Sequence, residues 1–103
     1  MGAMINEDRF GVVSLVVDVA SVAANITAEQ TFAVTGLKVG DFVAVNKPSL
    51  NTGLGVCNAR VSAANTLAIT FNNNTAGAVD PASETYLVFW FRPEKTPAGV
   101  VNP

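Results

Sequence analysis

The chain has 103 residues with a formal net charge of −2, six Lys and Arg against eight Asp and Glu, which is room for one domain and one core. No basic cluster is present to build a nucleic-acid surface, there is no histidine to act as base or metal ligand, and a single cysteine excludes an internal disulfide. Charged residues make up 14% of the chain and apolar residues 50%, with mean hydropathy +0.37, against roughly 25% charged in an ordinary soluble domain. We read the deficit as surface buried in an oligomer or larger assembly; the alternative is a monomer kept soluble by its many Asn, Thr and Ser residues.

Residues 1–10 carry three charges and no hydrophobic period, and read as an arm that orders on contact with a partner. Asn6-Glu7-Asp8-Arg9 leaves no basic start followed by an apolar stretch, so no signal peptide is expected. The first strand is predicted over Gly11 to Val22, with Val13, Leu15, Val17 and Val19 on one face and Val12, Ser14, Val16 and Asp18 on the other. The longest apolar run, Gly11 to Val17, is too short to cross a bilayer and is interrupted by Ser14.

Ile26 to Thr35 predicts a second strand with Phe32 and Val34 inward and Thr31, Ala33 and Thr35 outward. Thr27 and Gln30 match a helix capping box, but no helical apolar run follows, so the strand reading stands. Gly36 to Asp41 is a turn, Phe42 to Asn46 a short strand ended by Lys47-Pro48, and Ser49 to Gly55 the largest flexible loop. Val56 to Val61 resumes the extended pattern, with Cys57, Ala59 and Val61 on one face. Thr66 to Phe71 alternates most cleanly, with Leu67, Ile69 and Phe71 inward.

After the polar loop Asn72 to Gly77, Glu84 to Arg92 is the stretch the chain is organised around. Leu87, Phe89 and Phe91 share one face and Tyr86, Val88 and Trp90 the other, so both sides need a cover. Pro93 to Pro103, with three prolines, is a second arm. The expected organisation is an N-terminal arm over 1–10, one all-β domain over 11–92, and a C-terminal arm over 93–103. Turn signals every eight to twelve residues point to an antiparallel β-sandwich or jelly-roll-like barrel.

Little in the chain suggests catalysis. Cys57 is expected to be a buried structural thiol, since no activating partner is visible. Asp18, Asp41, Asp80 and Glu84 are scattered singly, without glycosidase pairing. Asn72-Asn73-Asn74 offers amides rather than the alternating carboxylates a calcium loop uses, so a hydrogen-bonded turn is the simpler reading. Asn25-Ile26-Thr27 and Asn73-Asn74-Thr75 fit the glycosylation pattern, which carries nothing without a secretory context. No cofactor, metal, nucleic acid or membrane is expected. Tyr86 and Trp90 could form a sugar-stacking platform in a carbohydrate-binding module, but core or subunit interface is the commoner use of such aromatics. The predicted oligomer interface is Tyr86, Val88 and Trp90, with Val12 and Val16.

The run from Val22 to Pro93 resembles small tailed-bacteriophage capsid accessory proteins, the decoration or cement proteins. The likeness is carried by Asn25 to Phe32, Gly36 to Asp41, Asn46-Lys47-Pro48, Gly53-Leu54-Gly55, Asn58 to Ala63, Leu67 to Asn72 and Thr75-Ala76. These are turn-and-strand signatures. The resemblance implies a compact β-barrel or jelly roll, often trimeric, made in a bacterial cytoplasm and bound to the outside of an icosahedral shell of major capsid protein. A trimer is accordingly favoured over a dimer. The expected capsid contacts are Glu7, Asp8 and Arg9 of the N-terminal arm and Leu50, Asn51 and Leu54 of the loop around Leu50 to Leu54. The alternative within virions is a neck, tail or fibre-base module.

Overall fold

The computed structural model describes residues 9–93, and they form an all-β sandwich. Six strands follow in order: β1 (Phe10–Val17), β2 (Ile26–Ala33), β3 (Phe42–Asn46), β4 (Leu54–Ala63), β5 (Thr66–Asn73) and β6 (Glu84–Phe91). They make two antiparallel three-stranded sheets, the first ordered β1-β6-β3 and the second β2-β5-β4. The predicted arms fall mostly outside the described residues; at the N-terminal boundary, β1 already begins at Phe10.

Only β4 and β5 are joined as a hairpin, through Ala64 and Asn65, with Asn65 in the left-handed region at φ 62°. Every other connection crosses from one sheet to the other. Three of the four crossings carry apolar residues toward the single core: Val19 and Val22 between β1 and β2, Val34 and Leu37 between β2 and β3, and the partly buried Val79 between β5 and β6. The sheets supply the rest, with Val17, Val43, Tyr86 and Val88 from the first and Leu54, Val61, Leu67, Ile69 and Phe71 from the second.

Three expectations are corrected by the register. Val17 closes β1, and Val22 forms a separate bridge to Val79 rather than continuing the strand. β4 starts at Leu54, which faces the core opposite Asn73, so Leu54 is a core residue and not a surface contact. Cys57 is exposed rather than buried, because a β-bulge lies between Val56 and Asn58. The bulge inserts one unpaired residue, so Val56 and Ala59 both turn to the core across an odd step and Cys57 is left outside.

Polar side chains fasten the ends. Asn73 is fully buried; its Nδ2 donates to the carbonyls of Val22, Ala23 and Gly77 at 2.9–3.1 Å. Its Oδ1 accepts from the Thr75 backbone N–H and hydroxyl at 2.9 and 2.7 Å. One amide thus ties the β1–β2 crossing to the loop after β5. Gly53 is required in the facing turn: its φ is +82°, and an added Cβ would collide with the Thr75 side chain.

Candidate assembly surface

In an antiparallel sheet, residues directly opposite one another project to the same side. The register therefore sorts the first sheet into rows. Phe10, Phe91 and Phe42 lie in one row, Val12, Phe89 and Ala44 in the next, then Ser14, Leu87 and Asn46, with Val16 and Thr85 beyond them. These rows form the outer face. Val13 opposite Val88 and Leu15 opposite Tyr86 form the inner one.

Among the described residues, the outer face carries no charged side chain. It exposes Phe42 at 56%, Leu87 at 47% and Phe89 at 39%, together with Phe10, Val12 and Val16. Neither edge strand, β1 or β3, carries a lysine or a proline of the kind that usually discourages further pairing. Contiguous apolar surface of this kind marks an interaction site.

The predicted interface set is divided by this geometry. Val12 and Val16 do lie outward, at 64% and 69% exposure. Tyr86 and Val88 do not: both are fully buried on the opposite side of β6, under the second sheet. Trp90 is half-buried on that same inner side, its indole lying over Gly11, where an added Cβ would come within 2.8 Å of Nε1. The Arg92 guanidinium stands 5.0 Å from the ring centroid. With Tyr86 inside, a sugar platform made of Tyr86 and Trp90 does not exist on the surface. The outward members of β6 are Leu87 and Phe89, and with Phe10 and Phe42 they complete the face. The signal that could have found them is the pairing rule itself, which sets Val12 against Phe89.

Of the expected capsid contacts, Glu7 and Asp8 lie outside the described residues. Arg9 is half-buried, and its carbonyl accepts the Arg92 backbone N–H at 2.6 Å. Leu50 is highly exposed. Asn51 is half-buried and held by Lys47, whose Nζ donates to Asn51 Oδ1 at 2.6 Å and to the Ser49 carbonyl at 2.7 Å. Lys47 also sits 2.9 Å from Glu84 Oε2, while the Ser49 hydroxyl donates to Glu84 Oε1 at 2.8 Å. The loop read as flexible is therefore braced against the start of β6. Lys47 and then Ser49 hold the Glu84 carboxyl below its usual range.

At the other end of β6, Arg92 forks onto Asp41, with both N–H···O distances 2.8 Å, and reaches the Gly36 carbonyl at 3.0 Å. This bidentate pairing, with the Lys38 N–H also donating to Asp41, keeps the Asp41 carboxyl ionised to lower pH than usual. Of the carboxylates scattered in sequence, two are braces, Asp41 on Arg92 and Glu84 on Lys47, and Glu29 makes a third such pair with Arg60. Among the described residues, no group of three or more His, Cys, Asp and Glu could hold a metal ion. Tyr86 is the exception to this economy. Its hydroxyl is buried without a partner, and burial, reinforced by Glu84, pushes its pKa up to about 12.

The second sheet's outer face is of another kind. Its rows run Thr27, Asn72 and Gly55; Glu29, Thr70 and Asn58; Thr31, Ala68 and Arg60. Arg60 reaches across β5 to Glu29 with two bonds of 2.8 and 2.9 Å, above the fully buried Ala68. No family model, curated protein or solved structure matches the chain.

Proposed function

We propose that this chain is a non-enzymatic structural protein of a bacteriophage virion, one that binds the outside of the capsid shell as a homo-oligomer and stabilises it. The observation that carries the reading is the uncharged apolar outer face of the first sheet, on a chain already short of charge. Area of that kind exposed on a small domain stabilises only by being buried between neighbours, and a symmetric shell repeats a modest interface many times over. The turn and strand segments resembling decoration proteins also support it: Gly36 to Asp41 carries the Arg92 brace, and Leu67 to Asn72 forms the central strand of the second sheet. The exposed Leu50, carried on the loop braced by Lys47 and Glu84, is the described residue best placed to touch the shell.

Quantitative mass spectrometry of purified virions of the phage that encodes the chain tests this reading. Hundreds of copies per particle are expected. A dozen or fewer would indicate a neck, tail or fibre-base module, and absence from the particle would overturn the virion reading altogether.

A further inference from the structure

We infer that the outer face of the first sheet is covered by the same face of a second copy, in a twofold, sheet-on-sheet dimer. The inference deepens the proposed function by naming the partner of that face, although its geometry stands on the sheet alone.

Three observations select this occupant. Among the described residues the face has no charge of either sign, so it offers nothing to steer or complement a charged partner, while being complementary to itself. Its size is right: Phe10, Val12, Val16, Phe42, Leu87 and Phe89, with the small polar residues between them, leave on the order of 800 Å² accessible per copy, so two faces meeting would bury about 1,600 Å², the usual extent of a specific complex. The symmetry follows from the contrast between the sheets. A ring of three needs two different complementary patches on each chain, whereas the second sheet presents hydroxyls, amides and the Glu29–Arg60 pair. Apolar rows meeting that face would strand its polar groups; apolar rows meeting themselves strand none. Two twisted three-stranded sheets stack face to face about 10 Å apart and about 30° off alignment, which makes a four-layer particle with the phenylalanine row and Phe89 in its middle.

The test is the molar mass of the full chain by size exclusion with light scattering over a range of concentrations, for the native protein and for Leu87→Lys, Phe89→Lys, Val12→Lys and Thr31→Lys. The native chain and Thr31→Lys are expected at twice the 10.7 kDa chain mass. Leu87→Lys and Phe89→Lys are expected to weaken association at least 100-fold. Val12→Lys lies on an edge strand and already points to water, so it keeps the test alive if either β6 variant fails to fold, and it is expected to weaken association at least 10-fold. A native monomer overturns the inference. So does a trimer, or any oligomer indifferent to all three face variants. The virion reading is judged separately: a monomer present at hundreds of copies per particle sinks the dimer and the oligomeric part of the proposed function but leaves shell binding standing, and a dimer absent from particles sinks only the virion reading.

Discussion

The two sheets bury comparable inner faces in one core but turn opposite characters outward. The first presents Phe10, Phe42, Leu87 and Phe89 with no charge; the second presents Thr27, Thr31, Thr70, Asn58 and Asn72 around an ion pair. The same fold could carry either surface on either side, since only the inner face answers to folding. An outer face left polar needs no partner. An outer face made apolar in both edge strands and in the centre costs solubility, and this is the feature from which a partner is proposed.

The polar fastenings decide how rigid each face is, and breaking them sharpens the comparison. The largest effect is expected at Asn73, which holds the crossing out of the first sheet against the end of the second. Asn73→Ala would remove the amide's bonds to the Val22, Ala23 and Gly77 carbonyls and to Thr75, leaving Val22 only the Val79 N–H and Gly77 only the Thr75 hydroxyl, at a cost of about 3 kcal/mol in chemical denaturation. Asp41→Ala comes next. It frees Arg92 and the turn from Gly36 to Asp41, at about 2 kcal/mol by the same measurement, and it should loosen the phenylalanine row at that end of the sheet.

The pH dependence has a definite sign. Asp41 and Glu84 are both held below their ordinary values, by Arg92 and by Lys47. Their contributions are therefore complete above the usual carboxylate range, where the unfolded chain is also ionised, and are lost as pH falls through the depressed folded values. Acid should loosen both ends of β6, and Asp41→Ala should flatten the acid limb of a stability profile. The phenol of Tyr86 works at the other extreme. Its raised pKa keeps it neutral in the fold, so stability is intact below about pH 10 and falls as pH rises toward about 12, when phenolate forms first in the unfolded chain. Tyr86→Phe removes a buried hydroxyl without a partner; it should leave stability unchanged or raise it by up to about 1 kcal/mol and abolish that alkaline limb.

The smallest effect is expected on the polar face. Glu29→Gln breaks a fork between exposed side chains and should leave the unfolding midpoint and the oligomeric mass where they were. A large change in either would mean that the second sheet's outer face is also an interface.

Much of this was legible in the sequence wherever one face of a strand was plainly polar. The inward sets of β2 and β5 follow from period-two alternation: Leu67, Ile69 and Phe71 are fully buried, and Phe32 packs against the core. The turn glycines Gly36 and Gly40 do take positive φ. β6 was different. With apolar residues on both faces, alternation separates Leu87 and Phe89 from Tyr86 and Val88 but cannot say which pair is inside. That choice is made by pairing with β1, some 70 residues away, which no local pattern encodes. The bulge at Cys57 is hidden for a related reason: an extra residue reverses the alternation locally, and only the partner strand reveals the miscount. The ion pairs Asp41–Arg92 and Lys47–Glu84 join residues 51 and 37 positions apart and likewise exist only once the strands are laid side by side.

Hydroxyl-radical footprinting of the native chain across a dilution series is the most direct test of the central claim, because it reads both faces in one sample. Phe10, Phe42 and Phe89 should be protected at high concentration and gain labelling together on dilution, while Cys57 on the second sheet stays fully reactive throughout as an internal reference. Phenylalanines that stay fully labelled even at the highest concentration would contradict the account, since a face that nothing covers has no role in assembly.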